Sequence, residues 1–112
     1  MKKMKPEIIR VFFSGKKSHA AVAPDLGRSA FDALLLSISA AERLQKHLPI
    51  GAELEYAILS SGNVPANVVP DCAEGELYLT AQTEAETEWL KRRAAEIVLG
   101  AAEATGTICH FK

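Results

Sequence analysis

Hydrophobic and polar residues follow two different periods along this chain, and the changes of period divide it into successive elements. From Ile8 to Phe13 the apolar residues are continuous and β-branched or aromatic, which is typical of a central strand in a sheet. Glu53–Ser60 alternates between polar and apolar positions, which predicts a half-exposed second strand. Ala73–Ala81 repeats the alternation, and Thr107–Phe111 is short and β-prone. The pattern therefore predicts four strands.

Two further segments keep the spacing of a helix. Asp25 is a suitable N-cap for the first, which is predicted over residues 26–47. Thr83 followed by Glu86 is a capping-box signal for the second helix, and Gly106 marks its end. On the first helix one apolar stripe is predicted to face the sheet: Phe31, Leu34, Leu35, Ile38 and Ala41.

The resulting element order is β-α-β-β-α-β. Two-layer packing resolves this order most simply as an α+β, ferredoxin-like fold, with a four-stranded antiparallel sheet and both helices on one face. In that fold the first and last strands are neighbours, so the two chain ends lie close together. The second strand lies at a sheet edge, where its unpaired backbone groups are available to another strand.

The first helix carries more apolar surface than one sheet can cover. A second stripe, formed by Ala33, Leu36, Ala40 and Leu44, lies beside the first. Loops of the same chain could cover it, or a second copy could, and small Ala33 and Ala40 permit the close helix approach that a second copy needs. We therefore predict a homodimer interface formed by this second stripe together with Glu53 and Glu55 of the edge strand.

Composition sets limits on the class of protein. A chain of 112 residues with 48% hydrophobic residues and a formal charge of -1 predicts one globular domain without a nucleic-acid or membrane footprint. The polar, basic segment 1–6 is interpreted as a leader or cloning remnant outside a domain spanning 7–112. Cys72 and Cys109 are predicted to be reduced, half-buried thiols, and the protein is predicted to be cytoplasmic.

Three segments carry a family resemblance. Residues 13–21 read FSGKKSHAA, residues 25–30 read DLGRSA, and residues 62–71 read GNVPANVVPD. In this order and within this frame they resemble the dimerisation or lid domain of the zinc amidohydrolase and metallopeptidase family. That family includes aminoacylase, carboxypeptidase G and succinyl-diaminopimelate desuccinylase, and its aminobenzoyl-glutamate hydrolase branch is the most similar. The resemblance covers Ile8 to Lys112.

The resemblance implies a separate catalytic domain that holds two zinc ions, with the present domain inserted in its sequence. That catalytic domain is missing from these 112 residues. A two-metal site needs several His and carboxylate ligands, whereas the only histidines are His19, His47 and His110, none of which begins a His-x-Asp. We therefore expect no metal site in this chain, and no hydrolysis by it alone.

The resemblance also assigns site residues. It implies that His19 reaches the partner's active site and stabilises the oxyanion there; the alternative is a solvated loop histidine. It implies that Asn67 contacts the substrate, the alternative being a turn asparagine that bonds its own loop. Where the family often has an arginine that clamps a substrate carboxylate, this sequence has Thr80, which cannot make a bidentate charged contact.

Two other function classes compete with this interpretation. The first is a free-standing ferredoxin-like module, small-ligand-binding or regulatory, with a pocket between residues 14–24 and 61–71. The second is single-stranded RNA binding by Phe12 and Tyr78 on the open sheet face. Four strand glutamates oppose the second class because they repel phosphate: Glu53, Glu55, Glu74 and Glu76.

Overall fold

The chain folds as a four-stranded sheet covered by two helices. The structure is a computed structural model that describes residues 5–111; residues 1–4 of the predicted leader and Lys112 lie outside the described residues. The elements are β1 (Glu7–Ser14), α1 (Ala30–Leu44), β2 (Glu53–Ser60), β3 (Cys72–Thr80), α2 (Glu84–Thr105) and β4 (Ile108–Phe111). Short 3-10 turns at Pro24–Leu26 and Gln45–His47 flank α1.

The strand order is β2-β3-β1-β4, and every neighbouring pair is antiparallel. The predicted α+β, ferredoxin-like architecture is therefore confirmed, with β2 at one edge and with β1 beside β4. Burial along β3 alternates at every residue, because successive side chains of a strand point to opposite sides of the sheet. The inward side chains meet the two helices. The largest fully buried side chains are Phe13 and Leu79 of the sheet and Leu90 and Val98 of α2.

The start of α1 differs from the sequence prediction. Ser29, and not Asp25, is the N-cap, and its side chain accepts a hydrogen bond from the backbone N–H of Asp32. Residues 24–26 form a separate 3-10 turn, and Arg28 pairs with Lys16 in an isolated antiparallel bridge. Because Arg28 is held in this extended pairing, the helix cannot begin before it.

The burial of α1 corrects two further predictions. Leu35, which was expected to face the sheet, is 43% exposed. Ala33 and Leu44, which were expected to meet a second copy, are 0% and 8% exposed within their own chain. The reason is that α2 packs along this side of α1 and leaves Ala33 and Leu44 buried, so neither residue offers surface to a partner.

The second helix follows its sequence signals closely. The Thr83 side chain accepts from the backbone N–H of Glu86, and Glu86 accepts in return from the N–H of Gln82. At the other end Gly106 has a φ of 70°, the left-handed conformation in which glycine ends helices without a steric penalty. These caps confirm both predicted boundaries of α2.

Candidate functional site

Two loops at one end of the sheet carry the residues singled out by the sequence. The His19 loop is defined as residues 15–24, which follow β1, and the Asn67 loop as residues 61–71, which precede β3. The loops pair with each other: the N–H of Gly15 donates to the carbonyl of Asp71 at 2.8 Å, and the N–H of Ala20 donates to the carbonyl of Asn67 at 2.8 Å. They therefore continue the β1–β3 ladder beyond the two strands.

The continued ladder contains a shift of one residue. Ser14 lies opposite Cys72, so regular pairing would bring His19 opposite Asn67. The structure pairs His19 with Val68 instead. One extra residue on the β1 side produces this bulge, and bulges redirect the side chains that follow them.

A third segment supports the His19 loop from its other flank. Lys16 and Arg28 exchange two backbone hydrogen bonds of 2.9 Å. Contact is so close that a Cβ on Gly15 would lie 1.9 Å from the carbonyl oxygen of Arg28, and one on Gly27 would lie 2.4 Å from Oγ of Ser18. At Gly15 the obstacle is backbone, so glycine is required there, whereas at Gly27 a Cβ would press on the side chains of Ser18 and Val69. The loop is consequently held from two sides.

The His19 side chain is exposed, and one of its ring nitrogens is occupied. Nδ1 accepts hydrogen bonds from the backbone N–H groups of Ala21 at 3.1 Å and of Val22 at 3.0 Å. The carbonyl of His19 accepts from the N–H of Ala23 at 3.0 Å. Within the described residues Nε2 makes no hydrogen bond, so it is the ring atom available to another molecule.

Asn67 lies beside His19, while Thr80 lies elsewhere. The backbone carbonyl of Asn67 holds Ala20, and its exposed side chain has no hydrogen-bond partner in residues 5–111. Thr80 pairs with Glu53 at the opposite end of β3. Eight residues of strand, or about 26 Å, separate Thr80 from Cys72, so one copy of the chain does not bring Thr80 and His19 together. The nearby Asn63 has a φ of 51°, a left-handed conformation that asparagine tolerates in turns.

An apolar surface runs along the β2 edge of the domain. Tyr56 and Ile58 lie on the helix side of β2 and are 37% and 48% exposed. Tyr56 lines a small cavity together with Ile38 of α1. Leu35 precedes Ile38 by three residues and therefore lies on the same side of the helix. We call Leu35, Ile38, Tyr56 and Ile58 the β2-side surface. The sequence pattern predicts that Leu35 faces the sheet, so it gives no sign of the helical part of this surface.

The remaining predicted interface residues lie in two places. Leu36, which is 45% exposed, and half-buried Ala40 line an open groove whose other wall is formed by α2 residues such as Ile97 and Gly100. Glu53 and Glu55 are exposed on the edge strand β2. Their polar side chains lie on the open sheet face, opposite the helices.

That open sheet face carries an acidic network. Arg10 pairs with Glu76 at 2.8 Å, and the hydroxyl of Tyr78 donates to the same carboxylate. The hydrogen bond from Tyr78, followed by the one from Arg10, holds the pKa of Glu76 below its usual value. The Tyr78 hydroxyl is thus hydrogen-bonded to a carboxylate, on a sheet face that also carries Glu55 and Glu74.

Some kinds of site are absent from the described part of the chain. Residues 5–111 contain no group of three or more His, Cys, Asp or Glu side chains that could hold a metal ion. No helix in the same stretch is long and apolar enough to cross a membrane. Both cysteines are free and half-buried, as the sequence predicted.

Curated proteins provide the first comparison. The chain is 38% identical over 101 residues to one of the subunits of the p-aminobenzoyl-glutamate hydrolase of Escherichia coli, a match that covers 88% of this chain and 21% of the relative. It is 31% identical over 98 residues to the Xaa-Arg dipeptidase of Mus musculus, covering 88% of this chain and 22% of that protein. The chain therefore spans about a fifth of the length of the curated relatives it matches.

Solved structures share the fold. An aminobenzoyl-glutamate utilization protein from Klebsiella pneumoniae superposes with a TM-score of 0.79 at 24% identity, over 96% of this chain and 27% of that one. A putative amidohydrolase/peptidase from Burkholderia cenocepacia gives 0.85 at 20% identity, over 96% of this chain and 27% of that one. Residues 9–105 match the family described as peptidase dimerisation domain. This chain is accordingly a member of that family, the dimerisation domain of the M20 peptidases and amidohydrolases.

Proposed function

We propose that this domain joins two copies of a hydrolase through β2 and the β2-side surface, and that each copy lends His19 to the active site of the other. Support for the pairing comes from the edge position of β2 and from the exposed apolar side chains beside it. A two-fold axis beside β2 pairs the two edge strands antiparallel and joins two four-stranded sheets into one. It also places the β2-side surfaces of the two copies together, where they exclude water.

The position of the two chain ends is the observation that carries the exchange of His19. β1 begins at Glu7 and runs toward the His19 loop, whereas β4 runs away from that loop beside β1. A catalytic domain joined to β1 and β4 thus lies toward the end of the sheet opposite His19, and β1 alone is about 26 Å long. Since the His19 loop lies at the other end of the sheet from the attachment of its own catalytic domain, the catalytic domain of the partner is the more accessible target.

The domain arrangement belongs to the same proposal. We infer that residues 7–112 form one lid domain inserted in a hydrolase, and that residues 1–6 lie outside it. The curated relatives are four to five times longer than the matched region, which favours an inserted module over a free-standing ligand-binding module. We place the two zinc ions that the family resemblance implies in the catalytic domain; residues 5–111 contain no group of three or more His, Cys, Asp or Glu side chains that could hold a metal ion. The free thiols suit a reducing compartment such as the cytoplasm.

The two loop residues have separate roles in this proposal. The Nε2–H group of His19 donates a hydrogen bond to the oxygen that becomes negative as the amide bond is attacked, an interaction worth about 3 kcal/mol in a closed site. The side-chain amide of Asn67 offers both a donor and an acceptor to the substrate. Thr80 offers no charged contact, so substrate recognition does not depend on a carboxylate clamp at that position.

Mixed dimers of the full-length hydrolase test the exchange of His19. One subunit carries His19→Ala and an intact catalytic domain; the other keeps His19 but lacks a metal ligand in its catalytic domain. Each variant alone is expected to be inactive. In the heterodimer, one of the two sites then contains both an intact catalytic domain and a partner's His19.

Random mixing makes half of the dimers heterodimers, so the mixture should recover about a quarter of the wild-type activity. His19→Asn is the matched control for folding, because an asparagine oxygen can accept the loop N–H groups that the ring accepts now. It should remain folded and fail to support the partner. Full activity of the His19→Ala homodimer, or no recovery in the mixture of folded dimers, would contradict the proposal.

A further inference from the structure

We infer that the backbone N–H groups of Ala21 and Val22 hold the His19 ring in one tautomer, with its proton on Nε2, so that the ring acts only as a hydrogen-bond donor to an oxygen atom. The inference rests on the proposed function for its catalytic meaning. The tautomer itself follows from the contacts of this chain alone. Ala21 and Val22 are thus positioning residues that act through their main chain.

The first step is the hydrogen-bond chemistry of imidazole. A neutral ring carries one N–H donor and one lone-pair acceptor. Two backbone N–H groups point at Nδ1 of His19, at 3.1 and 3.0 Å, and both need a lone pair there. Moving the ring proton to Nδ1 would place it against two amide hydrogens and leave both amides without an acceptor. The proton of the neutral ring therefore belongs on Nε2.

The second step is the rigidity of the loop. The turn that presents these N–H groups is closed by the hydrogen bond from Ala23 to the carbonyl of His19. The residues on both sides of His19 form backbone hydrogen bonds with the Asn67 loop. The N–H of Val69 donates to the carbonyl of Ser18 at 2.9 Å, and the N–H of Ala20 donates to the carbonyl of Asn67 at 2.8 Å. Main-chain contacts, and not a neighbouring side chain, thus fix the orientation of the ring.

The third step is what this tautomer excludes. A general base or a metal ligand would use a bare lone pair on Nε2, which requires the proton to sit on Nδ1. Metal-bound histidines usually donate their second ring N–H to a carbonyl or carboxylate, whereas the second nitrogen of His19 accepts. What remains is donation from Nε2 to an acceptor oxygen, such as an oxyanion or a carboxylate.

Ring-nitrogen NMR tests the tautomer directly. The chain is labelled with ¹⁵N, and two-bond proton–nitrogen spectra are recorded at alkaline pH, where ordinary imidazoles are neutral. His47 is an internal control, because it is exposed and has no hydrogen-bond partner among residues 5–111. We expect widely separated nitrogen signals for His19, with Nε2 protonated, and signals averaged toward each other for His47. Averaging of His19 to the same degree as His47, or a protonated Nδ1, would overturn the inference.

A pair of variants at residue 22 isolates the contribution of one amide. Val22→Pro deletes the N–H group, and Val22→Ala keeps it; the valine side chain is 80% exposed, so its loss perturbs little. The His19 signals should move toward averaging in the proline variant alone. Equal signals in both folded variants would count against the role of the Val22 N–H. Should the proline variant fail to fold, the spectrum of the unsubstituted chain decides.

These outcomes are independent of the mixed-dimer experiment. A single Nε2–H tautomer without recovery of activity would overturn the exchange of His19 and keep the positioning inference. Recovery of activity in the mixed dimers together with averaged His19 nitrogen signals would keep the exchange of His19 and overturn the positioning inference.

Discussion

Leu35 and Leu36 provide a direct test of where two copies of the domain meet. They are adjacent, identical in type, and nearly equal in exposure at 43% and 45%. Leu36 also lines the groove with Ile97 of α2, while Leu35 lies one helical turn before Ile38, which shares a small cavity with Tyr56 of β2. Both leucines border a second open groove near Thr105. We predict that Leu35→Ala weakens self-association and that Leu36→Ala leaves it unchanged.

The size of the effect follows from the exposed fraction of Leu35. Complete burial of a leucine side chain contributes about 2 kcal/mol, so burial of the exposed 43% contributes about 1 kcal/mol per subunit. A two-fold interface contains the residue twice, which makes the loss about 2 kcal/mol per dimer. That loss corresponds to an increase of about 30-fold in the dimer dissociation constant.

Sedimentation equilibrium of the chain and of each variant measures this constant. Circular dichroism should give the same folded spectrum for all three, because neither residue is part of the buried core. A larger effect of Leu36→Ala than of Leu35→Ala would refute the assignment and place the interface at the α1 stripe that contains Leu36 and Ala40, which the sequence pattern predicted. A chain that stays monomeric at millimolar concentration would refute pairing by this domain in isolation.

Two further predictions concern stability. Gly15→Ala should destabilise the fold by about 3 kcal/mol, because the new Cβ would meet a backbone oxygen that cannot move aside. Gly100→Ala should instead stabilise α2 by about 1 kcal/mol, because alanine favours the helix and no atom lies within 4 Å of the new Cβ. Thermal unfolding of the two variants should shift the midpoint in opposite directions, and equal shifts would contradict the packing described. The pKa of Glu76 is lowered by Tyr78 and Arg10 from the ordinary value of 4.5, so its stabilising effect is present above pH 4.5 and is lost as the pH falls through the lowered pKa. As the pH falls below 4.5, the free energy of unfolding measured in urea should therefore decrease less for Glu76→Gln than for the wild type. Parallel pH profiles of the two proteins would show that the network contributes nothing.

The sequence by itself determined the elements and their order. Strand and helix periods, the capping box at Thr83 and the glycine at position 106 are local signals, and local physics decides them in the folded chain as well. The ferredoxin-like topology follows because few two-layer packings accommodate this order of elements. The motif residues His19 and Asn67 were likewise recognisable before the fold, from the segments that contain them.

Tertiary structure decided what competes for each surface. Asp25 and Ser29 are both acceptable N-caps, and only the pairing of Arg28 with Lys16 selects the second. The two apolar stripes of α1 look equivalent on a helical wheel, but α2 packs against the second one and leaves Ala33 and Leu44 buried and Leu36 exposed. The position of α2 depends on contacts between residues far apart in the chain, which the period of a single helix does not encode.

The same distinction applies to the site. Residues 19 and 67 lie far apart in sequence and meet because the antiparallel β1–β3 ladder continues past both strands. The one-residue bulge, and the two amide groups that donate to Nδ1, arise from the folded path of the loop. Sequence therefore names the candidate residues, and the pairing of distant backbone segments fixes how they are oriented, because hydrogen-bond direction is a property of the assembled chain.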